Sequence, residues 1–197
     1  MKDVEIIKNI RIFVVNHSDD DDIHGFAHVQ RVYDLCDKIG IELKANMLIL
    51  RISALLHDIG RKNETSNSVN KNHAIISAEI SKDYLKSQLF GLSEHEINQI
   101  IHCILAHSFS NNIKPLTLEA KILSDVDKLD ALGAIGLYRT IGFTIRNKGG
   151  IKEVINHLEA KILNLKNYFL LDITREIAEE RIQIIQDFYI KIKYQTK

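Results

Sequence analysis

His57 and Asp58 stand side by side at the end of an apolar run, Ile49-Leu50-Arg51-Ile52-Ser53-Ala54-Leu55-Leu56. A titratable pair beside such a run is costly to bury unless something compensates it, and a divalent cation does that well. Upstream lies His24-x-x-x-His28, and downstream Ser124-Asp125-Val126-Asp127-Lys128-Leu129-Asp130. Three helical segments can thus each offer His or Asp to one centre. That pattern points to a metallohydrolase.

The elements that must carry these groups are helices. Apolar residues recur at helical spacing along almost the whole chain, and there is one proline. The spacing predicts helices near 3–16, 24–40, 43–58, 72–88, 94–107, 117–130, 131–143, 150–166 and 172–194. Polar linkers are expected at 17–23, 61–71 and 108–116. Gly60 stands where a C-terminal cap is expected, Ser93 and Glu96 have capping-box spacing, and Thr117 is placed to cap the sixth helix. With no fixed repeat and no domain linker, the expected fold is all-α, one domain over 1–197. The metal-site core is expected at roughly 20–140, with the helices of 150–194 packed on it.

Helical faces sort the candidates. On the second helix His24, His28, Arg31 and Leu35 form one stripe beside the core stripe Val29, Val32, Cys36 and Ile39. On the sixth, Asp127 and Asp130 share the core edge, next to the buried stripe Ile122, Val126 and Leu129. Asp125, between Lys121 and Lys128, is expected on a solvated salt-bridge face, so Asp127 is the better ligand and Asp130 a packing or supporting partner. His73 opens a helix, where an anion is favoured, although a neutral core histidine fits the same place. His107 should face inward and His102 outward, while His17 and His157 carry no signal.

Composition excludes several partners. Twenty-six basic residues balance twenty-six acidic ones, so no net field recruits a nucleic acid polymer or a membrane, despite the local run Asp19-Asp20-Asp21-Asp22. No apolar stretch approaches the ~18 residues of a membrane span. Met1-Lys2-Asp3-Val4-Glu5 lacks the order of a signal peptide, and Cys36 and Cys103 read as reduced core thiols. A cytoplasmic protein is expected. His95-Glu96-Ile97-Asn98-Gln99 ends in Gln and is not a zinc-peptidase helix. Gly133-Ala134-Ile135-Gly136 lacks the dinucleotide fingerprint, and its glycines are expected to allow close helix packing near Ala131.

The order His28, His57-Asp58, Asp127 resembles the HD-domain metal-dependent phosphohydrolase superfamily. The flanks agree: His24-Gly25-Phe26-Ala27-His28-Val29-Gln30-Arg31-Val32, Ala54-Leu55-Leu56-His57-Asp58-Ile59-Gly60 and Asp127-Lys128-Leu129-Asp130-Ala131. His107-Ser108-Phe109 and Ala134-Ile135-Gly136 look like a bacterial and archaeal subgroup of short members. The likeness covers roughly 20–140. It implies a multi-helix HD bundle that hydrolyses a phosphate ester or phosphoanhydride, with a nucleotide the expected substrate. One divalent metal would be held by His28, His57, Asp58 and Asp127. For two imidazoles and two carboxylates, Mn²⁺, Fe²⁺, Co²⁺, Ni²⁺ or Zn²⁺ suits better than Mg²⁺.

Some relatives carry acidic residues soon after the His-Asp pair, whereas here it is followed by Ile59-Gly60-Arg61-Lys62. That puts positive charge beside the metal and leaves the base to Asp58, with His24 or His73 relaying a proton. Arg31, Lys62, His73 and His107 are the expected substrate contacts. Two alternatives remain: a non-catalytic module that senses a nucleotide, and a two-metal phosphodiesterase or oxygenase that recruits His73 and His107. A monomer and a homodimer are both compatible with the sequence.

Overall fold

The computed structural model describes residues 2–63, 72–108 and 111–196. Residues 64–71 of the linker expected at 61–71, and Phe109 of the family-like passage, lie outside the described residues. Among those described there are nine α-helices and no strand: α1 (Lys2–His17), α2 (Phe26–Glu42), α3 (Met47–Leu56), α4 (His73–Ser87), α5 (Glu94–His107), α6 (Leu118–Asp130), α7 (Gly133–Arg146), α8 (Ile151–Ala160) and α9 (Asp172–Gln195). Short 3-10 segments follow α3 (Arg61–Asn63) and α8 (Ile162–Tyr168). None of the described helices is long and apolar enough to cross a membrane. The chain divides into two compact units, Met1–Ser124 and Asp125–Lys197.

In the first unit α3 is the central helix, packed against α1, α2 and α5, while α4 lies against α5. Its sequence is apolar on every side but one, as burial from all directions demands. Ile49, Leu50, Ile52, Ala54, Leu55 and Leu56 are almost wholly buried. Arg51 leaves on the remaining side to meet Asp37 at 2.6 Å. The expected core stripe of α2, Val29, Val32, Cys36 and Ile39, is likewise buried. Helix α3 starts later than the apolar spacing implies. Lys44 adopts φ 56°, and Asn46 caps the helix by accepting from the Ile49 N–H at 3.3 Å. The Asn46 N–H in turn donates to Glu119 Oε1 at 2.7 Å. Ser93 and Glu96 form the expected capping box, and Thr117 Oγ1 accepts from the Ala120 N–H at 3.2 Å.

In the second unit α7, α8 and α9 pack on one another, and α8 and α9 also pack on the 3-10 helix Ile162–Tyr168. A continuous helix over 150–166 is not observed: α8 stops at Ala160. The Asn164 side chain donates to the Glu159 carbonyl at 2.9 Å, taking an acceptor that a continuing α-helix would use. Periodicity misses the break because Val154, Leu158, Ile162 and Leu165 are buried on both sides of it. The expected close approach at Gly136 is present, for a Cβ there would lie 2.2 Å from the Ala131 carbonyl oxygen. Gly133 opens α7 with φ +71°, a conformation that favours glycine.

Asp125 overturns the solvated-face expectation. It is fully buried. Its carboxylate accepts from the Leu170 N–H at 2.9 Å, the Leu171 N–H at 3.0 Å and Thr174 Oγ1 at 2.7 Å, so it binds the start of α9. Lys128 Nζ is 3.3 Å away and also buried. Burial pulls the Lys128 ammonium below its ordinary pKa, and the Asp125 charge opposes that. Removing Asp125 takes a counter-charge from the buried Lys128 and the acceptor from two backbone N–H groups. Asp125→Ala is therefore expected to lose about 3–5 kcal/mol of stability, read as a fall in urea midpoint; a variant as stable as the wild type would contradict the capping role.

Candidate metal centre

Helix ends build the site. Apolar α3 ends at Leu56, and the next residues turn in tighter i→i−3 steps: Ile59 N to Leu56 O at 3.2 Å, Arg61 N to Asp58 O at 3.0 Å. This bend leaves His57 and Asp58 just beyond the helix and still buried, the Asp58 side chain being 1% exposed. Gly60 serves packing, not the expected left-handed cap. A Cβ at Gly60 would meet Ser77 N at 2.5 Å and the Ile76 carbonyl carbon at 2.8 Å, so the turn lies directly on the α4 backbone. The Gly60 N–H donates to Ser77 Oγ at 2.9 Å.

His28 comes from the first turn of α2, and His24 does not share its stripe. The helix begins at Phe26, so His24 lies in the preceding turn. The acidic run folds back there, with Asp21 Oδ1 accepting from the Ile23 and His24 N–H groups at 2.7 and 2.8 Å. Gly25 is required, since a Cβ would fall 2.2 Å from the Asp19 carbonyl oxygen. His73 is the first residue of α4 and His107 the last of α5, both buried. One side-chain chain ties these two termini. Asn72 caps α4 through Oδ1, its Nδ2 donates to Asn111 Oδ1 at 3.0 Å, and Asn111 Nδ2 donates to the Leu105 carbonyl at 2.8 Å.

Four imidazoles surround one carboxylate. His57 Nε2 and His28 Nε2 are 3.2 Å apart. Two donors each about 2.1 Å from one ion and at right angles would be separated by about 3 Å. Asp58 Oδ2 lies 3.5 Å from His28 Nε2 and 3.7 Å from His57 Nε2. On the other side Asp58 Oδ1 lies 3.7 Å from His73 Nε2 and 3.6 Å from His107 Nε2. Two groups could therefore hold a cation, His28–His57–Asp58 and Asp58–His73–His107, with Asp58 common to both. The Nδ1 of His57 faces the Ala54 carbonyl at 2.8 Å, and that of His107 faces the Ile104 carbonyl. Each Nδ1 must then donate, which leaves the Nε2 lone pairs for a ligand.

A metal fits these donors. Asp58 Oδ1 and His107 Nε2 are buried with no hydrogen-bond partner among the described residues, so the protein's own contacts leave both open to a ligand. Burial pushes the Asp58 carboxyl upward, but the Arg61 guanidinium and the neighbouring imidazoles outweigh it and hold the group well below the usual carboxylate range. Asp58 is thus an anion at any working pH. Arg61 Nε donates to Asp58 Oδ2 at 2.7 Å, and Arg61 Nη2 lies 3.2 Å from His73 Nε2.

The remaining expected contacts sit elsewhere in the first unit or in the second. Arg31 donates to the Asp22 carbonyl at 3.3 Å, and the exposed Lys62 pairs with Asp19 at 3.1 Å. Both cations thus engage the acidic run. Asp127 is half-buried on α6 in the second unit, and Asp130 pairs there with Arg139 at 2.7 Å. His102 is not simply solvated, because its Nε2 accepts from the Leu116 N–H at 3.0 Å and pins the stretch before α6. Spacing gave no hint of the Asn72–Asn111 tie. Arg61 was legible as a charge near the pair, at i+3 from Asp58, though not as its direct partner.

The chain belongs to the HD-domain family: the HD domain model matches residues 25–132. The uncharacterized protein YpgQ of Bacillus subtilis (strain 168) is 31% identical over 197 residues, covering 95% of this chain and 92% of that protein. The crystal structure of YpgQ in complex with ADP aligns with TM-score 0.78 at 25% identity, over 99% of this chain and 97% of that one. A predicted HD superfamily hydrolase from an uncultured Thermotogales bacterium aligns with TM-score 0.66 at 25% identity, over 98% and 92% of the two chains. A ribonuclease Y of Thermoanaerobacter pseudethanolicus is 28% identical over 132 residues, 67% of this chain but 23% of that protein.

Gly60→Ala tests the approach of the turn to α4. The added methyl should cost about 1–3 kcal/mol through overpacking, and it should weaken metal binding by displacing Asp58. A wild-type melting temperature together with unchanged metal affinity, by calorimetric titration, would show that the turn has room to spare.

Proposed function

We propose that this chain is a metal-dependent phosphohydrolase that cleaves a phosphate ester or phosphoanhydride of a nucleotide. One observation carries the reading: a buried, ionised Asp58 faces the two imidazoles of His28 and His57, in a family whose relative YpgQ binds ADP. His28, His57 and Asp58 would hold one divalent cation, of which Mn²⁺, Fe²⁺, Co²⁺, Ni²⁺ or Zn²⁺ matches the imidazoles better than Mg²⁺. Asp127 as the fourth ligand rests on the sequence resemblance. One HD-type domain over the whole chain is the reading that the alignment of YpgQ over 95% of it supports. When bound, such a cation would polarise a phosphoryl oxygen and would lower the pKa of the attacking water.

The chain's own groups do the rest. Asp58, kept ionised, accepts the proton that water gives up, and His24 relays it. Arg31, Lys62, His73 and His107 contact the phosphate, Arg31 and Lys62 by leaving the acidic run. The buried thiols Cys36 and Cys103, the latter pushed up to about 11 by burial, suit a reducing cytoplasm. Asp58–His73–His107 supports a second reading, a two-metal phosphodiesterase or oxygenase.

Two measurements test the proposal. Nucleoside mono-, di- and triphosphates are screened with Mn²⁺, Co²⁺, Ni²⁺ and Mg²⁺, and released phosphate or pyrophosphate is identified; turnover of at least one is expected, and nucleotide binding without any turnover would favour a sensing module. Asp58→Ala and Asp127→Ala should each lower kcat/KM by about 10³-fold or more, equivalent to about 4 kcal/mol, and lose bound metal while keeping a helical circular-dichroism spectrum. A fully active Asp127→Ala would remove that residue from the ligand set.

A further inference from the structure

The two donor groups share a single carboxylate, and the cation already seated on it belongs to the chain. Arg61 Nε holds Asp58 Oδ2 at 2.7 Å, and Nη2 of the same guanidinium is 3.2 Å from His73 Nε2. Guanidinium has donors only and keeps its charge at any physiological pH. His73 Nε2 is therefore the acceptor, and the lone pair that a metal would need from it is directed at Arg61. Such a metal would sit about 2.1 Å from the same nitrogen, so it and the guanidinium compete for one place.

We propose that Arg61 stands in for a second metal ion, so that this chain carries one divalent cation at His28–His57–Asp58 and a guanidinium on His73, the nitrogen a second ion would need. The inference rests on the reading that the first group holds a cation. Three features favour Arg61 over a second ion. It is tethered three residues from Asp58, so its effective concentration exceeds that of any dissolved metal. Its side chain is 26% exposed, so its charge is seated without full desolvation. The two groups have one carboxylate between them, Asp58, and a second divalent ion there would face the fixed positive charge of Arg61. A metal and a guanidinium side by side would meet adjacent phosphoryl oxygens, the planar fork taking two at once.

The test counts ions. The chain, purified without chelator and saturated with Mn²⁺, is assayed for bound metal by elemental analysis and for spin-coupled pairs by electron paramagnetic resonance. The wild type should bind about one equivalent, and Arg61→Gln about two with a coupled signal. Arg61→Met, which keeps the alkyl stem, is run in parallel and should behave like Arg61→Gln. Adding His107→Ala to Arg61→Gln should return the count to about one, placing the extra ion on that group. A wild type with two ions, or both Arg61 variants holding only one, would overturn the inference and leave the metal-dependent reading intact. A wild type holding none would remove that reading as well.

Discussion

The first unit is organised around the need to keep one carboxylate charged inside an apolar core. An isolated ion at the end of α3 would be driven to its neutral form, because desolvation opposes charge. Arg61 and the encircling imidazoles reverse that balance, and Asp58 stays ionised. The neighbouring architecture follows from this compensation. The turn after Leu56 delivers the carboxylate, Gly60 lets the turn lie on α4, and the first residue of α4 and the last of α5 bring imidazoles to the far oxygen.

The second unit meets the same difficulty with a different solution. Asp125 is also a buried carboxylate, but its partners are backbone N–H groups, a hydroxyl and Lys128. Every one of those contacts is made inside the protein, so the residue works as a helix cap. Asp58 differs in retaining an oxygen with no hydrogen-bond partner among the described residues. The contrast separates a structural aspartate from a candidate ligand. Burial alone does not mark the functional carboxylate; an unmet lone pair does.

Much of this was readable from residue types. The all-helical class, the capping box at Ser93, the core stripe of α2 and the pairing of His57 with Asp58 all follow from local spacing. His107 facing inward followed from Ile100 and Ile104 on the same helix face, both buried. The failure at one aspartate comes from partners distant in sequence, and that at one histidine from a local turn. Asp125 has lysines at i−4 and i+3, the pattern of a wet surface, yet its carboxylate is claimed by residues 170–174. His24 fell out of its stripe because Gly25 and the folded acidic run delay the start of α2. Helical periodicity reports which way a side chain faces once the helix exists, and it does not report where the helix begins.

The donors around Asp58 come from positions 28, 57, 73 and 107, and each lies at or near the end of a different helix. An unfolded chain therefore presents no ready-made chelate, since three loops must close before all four of these helices contribute together. A cation that binds only the assembled form draws the folding equilibrium toward it by mass action. With a metal held there, the melting behaviour of the first unit would become a gauge of the metal activity around it, and scarcity of the ion would be felt first as a loosening of the four helix ends.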